Sequence, residues 1–268
     1  MRLSKKGKYR LTFKNEKNLK KIILYQQKIS PEKFNELTTE DKYCFLTLGH
    51  IHDEISWLQR MSYITSKSTD PNGNELKNKG NLMPAIFLSR LLLAKLFELK
   101  VLMEGEVLIT NFIQTYFNPE NRDAGIEKLN AINELFAGED WIRKARNKHF
   151  LHYPKINDVR DTIENPDLIW DIEIIHGKNS SNTFYPTSDV MANYAWFSLA
   201  NPEEPMKGFN EALSTIKELA SLTLNTLEQS LGYFTNLKLQ KLSENNKINL
   251  FAESIHDSRL NYFLFTGK

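Results

Sequence analysis

The chain has 268 residues, of which 41% are hydrophobic and 25% are charged. These values are typical of a folded globular protein of one large or two small domains, and they exclude a disordered or collagen-like chain. A single cysteine excludes a disulfide scaffold and any zinc or iron–sulfur site built from several cysteines.

The formal net charge of +2 conceals an uneven distribution along the chain. The first 28 residues contain ten basic residues and one acidic residue and carry +9, so the other 240 residues sum to −7. We expect an acidic body with a basic arm. Such an arm is suited to contact with nucleic acid, although a solvated terminus has the same composition.

Two segments are candidates for a signal peptide or a membrane span, and the features of both favour a soluble protein instead. The basic start is followed by an apolar run at 22–24 that is shorter than that of a signal peptide. The most apolar segment, 86–109, carries six charged side chains, which are costly in a bilayer. We therefore expect no membrane span and a cytoplasmic, reducing location.

The first third of the chain alternates strand, helix and loop signals. Apolar and polar residues alternate at 9–14, which indicates a strand within the basic arm. Ser30 is a favourable cap for a short helix over Pro31–Leu37, with proline at its first position. Thr38 and Thr39 can cap a longer helix over about 40–65, which apolar residues three and four apart predict. The stretch 66–81, rich in Asn and Gly, predicts a loop.

The middle of the chain is predicted to be helical. A helix over about 83–117 has Pro84 in its first turn and an interruption at Gly105. Because its first half is apolar around most of its circumference, we expect it at the centre of the fold. Two further helices follow over 123–136 and 141–151.

The last third combines one long helix with weaker strand signals. Isoleucine-rich residues 168–175 predict a strand that returns at 183–185, and 261–265 predicts another. The last helix runs from 203 or 206 to about 237. The predicted fold class is mainly α, a helical bundle with a small β accessory. Its single domain comprises a basic arm (1–29), a helical core (30–155 and 188–237), a β-hairpin insertion (165–187) and a C-terminal extension (238–268).

Residues 141–154 concentrate four cationic side chains and two histidines. On a helix, residues three apart are neighbours, so Arg146 and His149 are predicted to share a face, as are His149 and His152. Arg146 and His152 are six apart, roughly 240° around an ideal helix. A helix that ends near His152, before Pro154, would let that side chain turn back toward Arg146.

These residue types suit phosphodiester cleavage without a metal. Arginine presents a planar fork that matches a phosphate, and histidine accepts or donates a proton near neutral pH. The RNA 2′-hydroxyl would be the nucleophile, and arginine would stabilise the anionic transition state. The alternative is a solvated basic helix end, where cations interact favourably with the helix dipole.

Arg146 and Asn147, with His152 after four further residues, resemble the signature of the HEPN superfamily. That signature is an arginine, often followed by Asn, Asp or His, with a histidine after four to six intervening positions. HEPN proteins are all-α bundles and often homodimers that bring two motifs into one cleft. Many are metal-independent ribonucleases of toxin–antitoxin, abortive-infection and CRISPR systems.

The resemblance implies a toxin or antiphage defence effector that needs no metal or cofactor. Arg146 and His152 would be the catalytic pair and Asn147 a supporting polar residue. The partners would be RNA, a second copy of the chain, and an antitoxin or defence protein. The basic flank would hold the RNA: Arg143, Lys144, Lys148 and His149.

Three alternatives stay open. Arg143 and His149 have the same spacing, but Arg146 is preferred because Asn147 follows it directly. A non-catalytic HEPN-like protein could use the same residues to bind RNA or a protein. A metal-dependent hydrolase could be centred on His50–Glu54, where a structural role is favoured because His50 and His52 lie on different faces of a helix.

Charged residues also interrupt the central apolar helix. Arg90 and Glu98 are expected to be paired or to lie on its narrow polar edge, since buried charges need partners. Cys44 follows the apolar pattern of its helix and is expected in the core.

Overall fold

A computed structural model describes residues 19–67, 73–150, 153, 155–165, 172–177, 182–239, 247–254 and 258. The fold is mainly α with a two-stranded antiparallel sheet, which confirms the predicted class. The helices are α1 (Pro31–Asn35), α2 (Thr39–Ser66), α3 (Glu75–Gly105), α4 (Val107–Tyr116), α5 (Arg122–Ala137), α6 (Asp140–Ala145), α7 (Ile156–Ile163), α8 (Pro186–Ala200) and α9 (Pro205–Phe234). The strands are β1 (Leu19–Tyr25) and β2 (Lys247–Glu253), and π-helical turns follow α6 at Arg146–Phe150 and α9 at Thr235–Leu239.

Side-chain caps start the first two helices where the sequence predicted them. The Ser30 hydroxyl accepts a hydrogen bond from the Lys33 N–H at 3.3 Å, and the Thr38 hydroxyl accepts one from the Asp41 N–H at 3.1 Å. Each cap satisfies a backbone donor that has no partner within its helix.

Helix α3 begins earlier than predicted. Asn74 caps it by accepting a hydrogen bond from the Lys77 N–H at 3.1 Å, so the predicted loop over 66–81 is too long. Pro84 lies inside the helix rather than in its first turn. Proline inside a helix removes one backbone hydrogen bond, so the sequence predicted a helix that starts at about 83 with Pro84 in its first turn.

The predicted helix over 83–117 is interrupted at Gly105, as expected. Glu106 has an extended backbone, with φ of −127° and ψ of 95°, and its side chain caps α4. The chain therefore changes direction between α3 and α4.

The β accessory lies elsewhere than predicted. β1 belongs to the basic arm and β2 to the C-terminal extension, and they pair with Leu19 opposite Glu253 and Ile22 opposite Leu250. Of the predicted hairpin at 165–187, the described residues show one isolated bridge between Ile175 and Phe184. Residues 172–174 are not in a strand, while 168–171 lie outside the described residues, as do the strands predicted at 9–14 and 261–265.

Two helices were not assigned from the sequence. α7 follows the motif segment, and α8 begins at Pro186, where the predicted hairpin was to end. α8 is apolar on several sides, and Asn193, Ala195, Trp196 and Phe197 are all buried. A helix without one clear apolar stripe gives little periodic signal.

The hydrophobic core confirms the central position of α3. α3 packs against α2, α4, α8 and α9, and Leu93 and Leu96 are fully buried. Facing side chains with similar burial are Leu48, Ile55, Leu219 and Leu227. Among the described residues, no helix has both the length and the apolar character required to cross a membrane.

Candidate active site at a π-helical turn

The motif segment changes helix type where its arginine begins. α6 ends at Ala145, and Arg146–Phe150 forms a π-helical turn. Such turns accommodate an extra residue in the hydrogen-bonded ring and occur often at functional sites. His152 lies outside the described residues.

Buried aromatic rings attach this segment to α8. The Trp196 ring is fully buried and stacks on Trp141, with ring centroids 6.2 Å apart. Phe150, at the end of the π turn, meets Trp196 edge-on at 5.5 Å. Both ends of the segment are therefore fixed to the core, which holds the residues between them in place.

Arg146 is held by three neighbours at the surface. Its Nε and Nη2 donate to Glu98 Oε1 at 3.1 and 2.5 Å, and its Nη1 donates to Asn147 Oδ1 at 3.1 Å. The guanidinium carbon lies 5.9 Å from the centre of the Phe97 ring. The side chain is 31% exposed, so the guanidinium is oriented yet accessible to a ligand.

His149 is enclosed by the fold. It is 4% exposed, and its Nδ1 is buried without a hydrogen-bond partner. Burial lowers the pKa of the imidazole. An RNA contact was predicted for His149, and a buried side chain is poorly placed to make one, whereas Arg146 on the same turn is 31% exposed. The exposed Arg143 and the enclosed His149 are also unlike in accessibility, which disfavours them as a catalytic pair.

Arg90 and Glu98 of the central helix each contact the π turn. Glu98 binds the Arg146 side chain, and Arg90 Nη1 donates to the His149 carbonyl at 3.4 Å. Burial lowers the pKa of Arg90 and raises the pKa of Asp189, which interact electrostatically. Sequence reasoning expected partners for Arg90 and Glu98 but did not place them at the site. Their presence in an apolar helix was the available signal.

The basic flank is matched by carboxylates. Arg143 Nη2 and Lys144 Nζ each lie 2.8 Å from Asp140, and Lys144 and Arg143 together lower the pKa of that carboxyl to about 2. Lys148 Nζ lies 3.2 Å from Asp158. Three of the cations predicted to bind RNA thus already have anionic partners.

A groove of about 660 Å³ between α2 and α3 is lined in part by Glu98, the residue that binds Arg146. His50, Asp53 and Glu54 also line the groove. His50 Nε2 is 3.7 Å from Glu54 Oε1, and Glu54 also binds Lys95 at 2.9 Å. In the part of the chain that the structure describes, no group of three or more His, Cys, Asp or Glu residues is arranged to hold a metal ion.

No model of a known protein family matches the chain, and neither a curated protein nor a solved structure matches it. The resemblance to HEPN proteins therefore depends on the motif residues and the helical context alone.

Proposed function

We propose that the chain is a metal-independent endoribonuclease of the HEPN type that acts as a toxin or antiphage defence effector. The observation that carries the proposal is the state of Arg146. Its guanidinium is oriented by Glu98 and Asn147 at a π turn while part of it stays accessible. A permanent cation held this way is preorganised for an anion.

In the proposed reaction, His152 accepts the proton of the RNA 2′-hydroxyl as that oxygen attacks the adjacent phosphorus. The bond to the 5′ oxygen breaks, this oxygen takes up a proton from water, and the proton on His152 passes to solvent. The products are a 2′,3′-cyclic phosphate and a 5′-hydroxyl. Arg146 stabilises the charge on the phosphate oxygens, and Asn147 orients Arg146, with no metal or cofactor taking part.

In this proposal, cations that now bind carboxylates would bind phosphates when RNA is present. Arg143, Lys144 and Lys148 would leave their carboxylates for backbone phosphates. Such contacts make affinity fall steeply with salt concentration. His149, being buried, would support the turn rather than touch RNA. The proposed protein is a cytoplasmic homodimer regulated by an antitoxin or another defence protein.

Incubation of the purified protein with mixed RNA, with and without EDTA, tests the proposal. We expect cleavage in both conditions and its loss in Arg146→Ala and His152→Ala. The matched control is Arg160→Ala, which removes an exposed arginine whose guanidinium lies 3.8 Å from Glu164 on α7. Equal cleavage by the motif variants and the wild type would show that the site is wrongly assigned.

A non-catalytic HEPN-like binding module is the second candidate. The pairing of the flanking cations with carboxylates favours its protein-binding form, because the pairing reduces the positive potential that would attract RNA. This candidate predicts binding of RNA or of a protein partner with no RNA product under any condition.

A further inference from the structure

Helix α2 presents one narrow exposed stripe to solvent. Between positions 41 and 65 its exposed residues are Tyr43, Leu46, His50, Asp53, Trp57 and Arg60. They alternate at spacings of three and four, which is the pattern of a helix that pairs with another helix. Trp57 is 65% exposed, Leu46 57% and Tyr43 38%. Large apolar side chains at helix-pairing positions indicate a surface that is covered in the functional state.

The stripe is complementary to itself when two copies run antiparallel. With the two-fold axis between Ile51 and His52, Leu46 lies opposite the partner's Trp57, and His50 lies opposite the partner's Asp53. Tyr43 then lies opposite the partner's Arg60, a cation–π combination. Two-fold symmetry repeats every contact.

A parallel pairing lacks this complementarity. It would place each His50 opposite its own copy, and likewise each Asp53. The two Asp53 carboxylates would then repel each other, which disfavours that arrangement. The charge order along the stripe therefore selects the antiparallel orientation.

We propose that this stripe of α2 is the surface on which a second copy of the chain docks, antiparallel to the first. The inference rests on the homodimer of the proposed function and adds the surface and its register. The groove between α2 and α3 is lined both by Glu98 and by His50, Asp53 and Trp57 of the stripe, so each Arg146–Glu98 pair would lie near the dimer interface.

The existing contacts of the charged pair leave it available to a partner. His50 Nε2 is 3.7 Å from Glu54 and His52 Nδ1 is 3.4 Å from Asp53, both long for hydrogen bonds. The His50 and Asp53 side chains are highly exposed. A helix contact over 18 residues is about 26 Å long, so we expect a small interface with a dissociation constant in the micromolar range.

Sedimentation equilibrium of charge variants tests the interface. We expect a wild-type dimer and at least tenfold weaker association in Trp57→Ala, in His50→Glu and in Asp53→Arg. The double variant His50→Glu/Asp53→Arg restores opposite charges across the axis and should recover association. A monomeric wild type, or a dimer that none of these variants weakens, would overturn the proposal.

Cysteine cross-linking tests the register. Oxidation of an equal mixture of Leu46→Cys and Trp57→Cys chains should join one chain of each kind, whereas either variant alone should stay uncrosslinked. Cross-linking of each variant with itself would instead show a parallel pair. Cys44 is buried and should not interfere. A wild-type dimer that cleaves no RNA would contradict the ribonuclease and not the interface, whereas Arg146→Ala should be inactive and remain dimeric.

Discussion

The guanidinium of Arg146 donates twice to one carboxylate oxygen of Glu98, at 3.1 Å from Nε and 2.5 Å from Nη2. The contact joins the end of α6 to the central helix across 48 positions of sequence. The Nε and Nη2 atoms of the guanidinium bind Glu98, while Nη1 donates to Asn147. The direction in which the arginine presents its charge is therefore set by a residue outside the motif.

Glu98→Gln should weaken the orientation of the Arg146 guanidinium and change the stability of the folded protein little. The exposed ion pair contributes within about 1 kcal/mol to the free energy of unfolding, so thermal stability should change little. RNA cleavage should fall at least tenfold because the amide holds the guanidinium more weakly. The control is Glu104→Gln on the same helix, which removes an ion pair with Lys100 and should leave cleavage unchanged. Equal effects of the two substitutions on cleavage would contradict a special role for Glu98.

The burial of His149 should make stability depend on pH. Burial lowers the folded-state pKa, so the unfolded chain binds the proton first as pH falls below about 6.5, the ordinary value. The contribution is complete above that pH and is lost as pH falls toward the folded pKa. Urea unfolding at several pH values should show a shallower decline for His149→Gln than for the wild type. Parallel profiles would show that the imidazole is not shielded from protonation.

Cys44 should be unreactive in the folded protein. Its side chain is buried, and burial raises the pKa of the thiol to about 11, so little of the nucleophilic thiolate forms at pH 8. Iodoacetamide should modify the wild type slowly without denaturant and rapidly in urea. In the control Met206→Cys, at a position that is 66% exposed and outside the α2 stripe, mass spectrometry should find fast modification at the exposed position only. Rapid native modification of Cys44 would contradict its burial.

Two glycines of α9 should respond oppositely to alanine. A methyl group at Gly208 would overlap the Phe197 carbonyl oxygen and lie 2.9 Å from the Asn201 nitrogen, so Gly208→Ala should lower the free energy of unfolding by about 1–3 kcal/mol. At Gly232 a methyl group meets no atom within 4 Å, so Gly232→Ala should raise it by about 0.5–1 kcal/mol. Chemical denaturation measures both. A loss of stability at both positions would contradict the tight packing of α8 on α9 as the cause.

Local sequence signals predicted the first residues of helices well. They did not predict contacts between residues that are distant in the chain. Ser30 and Thr38 act within three residues, so their caps are visible in sequence. Pro84 misled the prediction because α3 tolerates it in its interior, where core burial outweighs the lost hydrogen bond.

The same distinction between local and long-range contacts applies to the candidate site. Arg146 and Asn147 are adjacent in sequence, and their side chains form a hydrogen bond. The contacts of Glu98 and Arg90 depend on how α3 packs beside the π turn, which no local pattern specifies. The burial of His149 likewise depends on the π-helical geometry, which a prediction of regular α-helix misses.

The pairing of β1 with β2 has a consequence for the order of folding. Leu19 and Glu253 are partners across 234 positions, whereas α2 and α3 are neighbours along the chain. Closing so long a loop costs conformational entropy that local helix pairs do not incur. We expect the β1–β2 sheet to form after the helical bundle has brought the two strands close together. We also expect the strands to separate first under denaturant. Amide hydrogens of the β1–β2 sheet should therefore exchange with solvent long before those of α3.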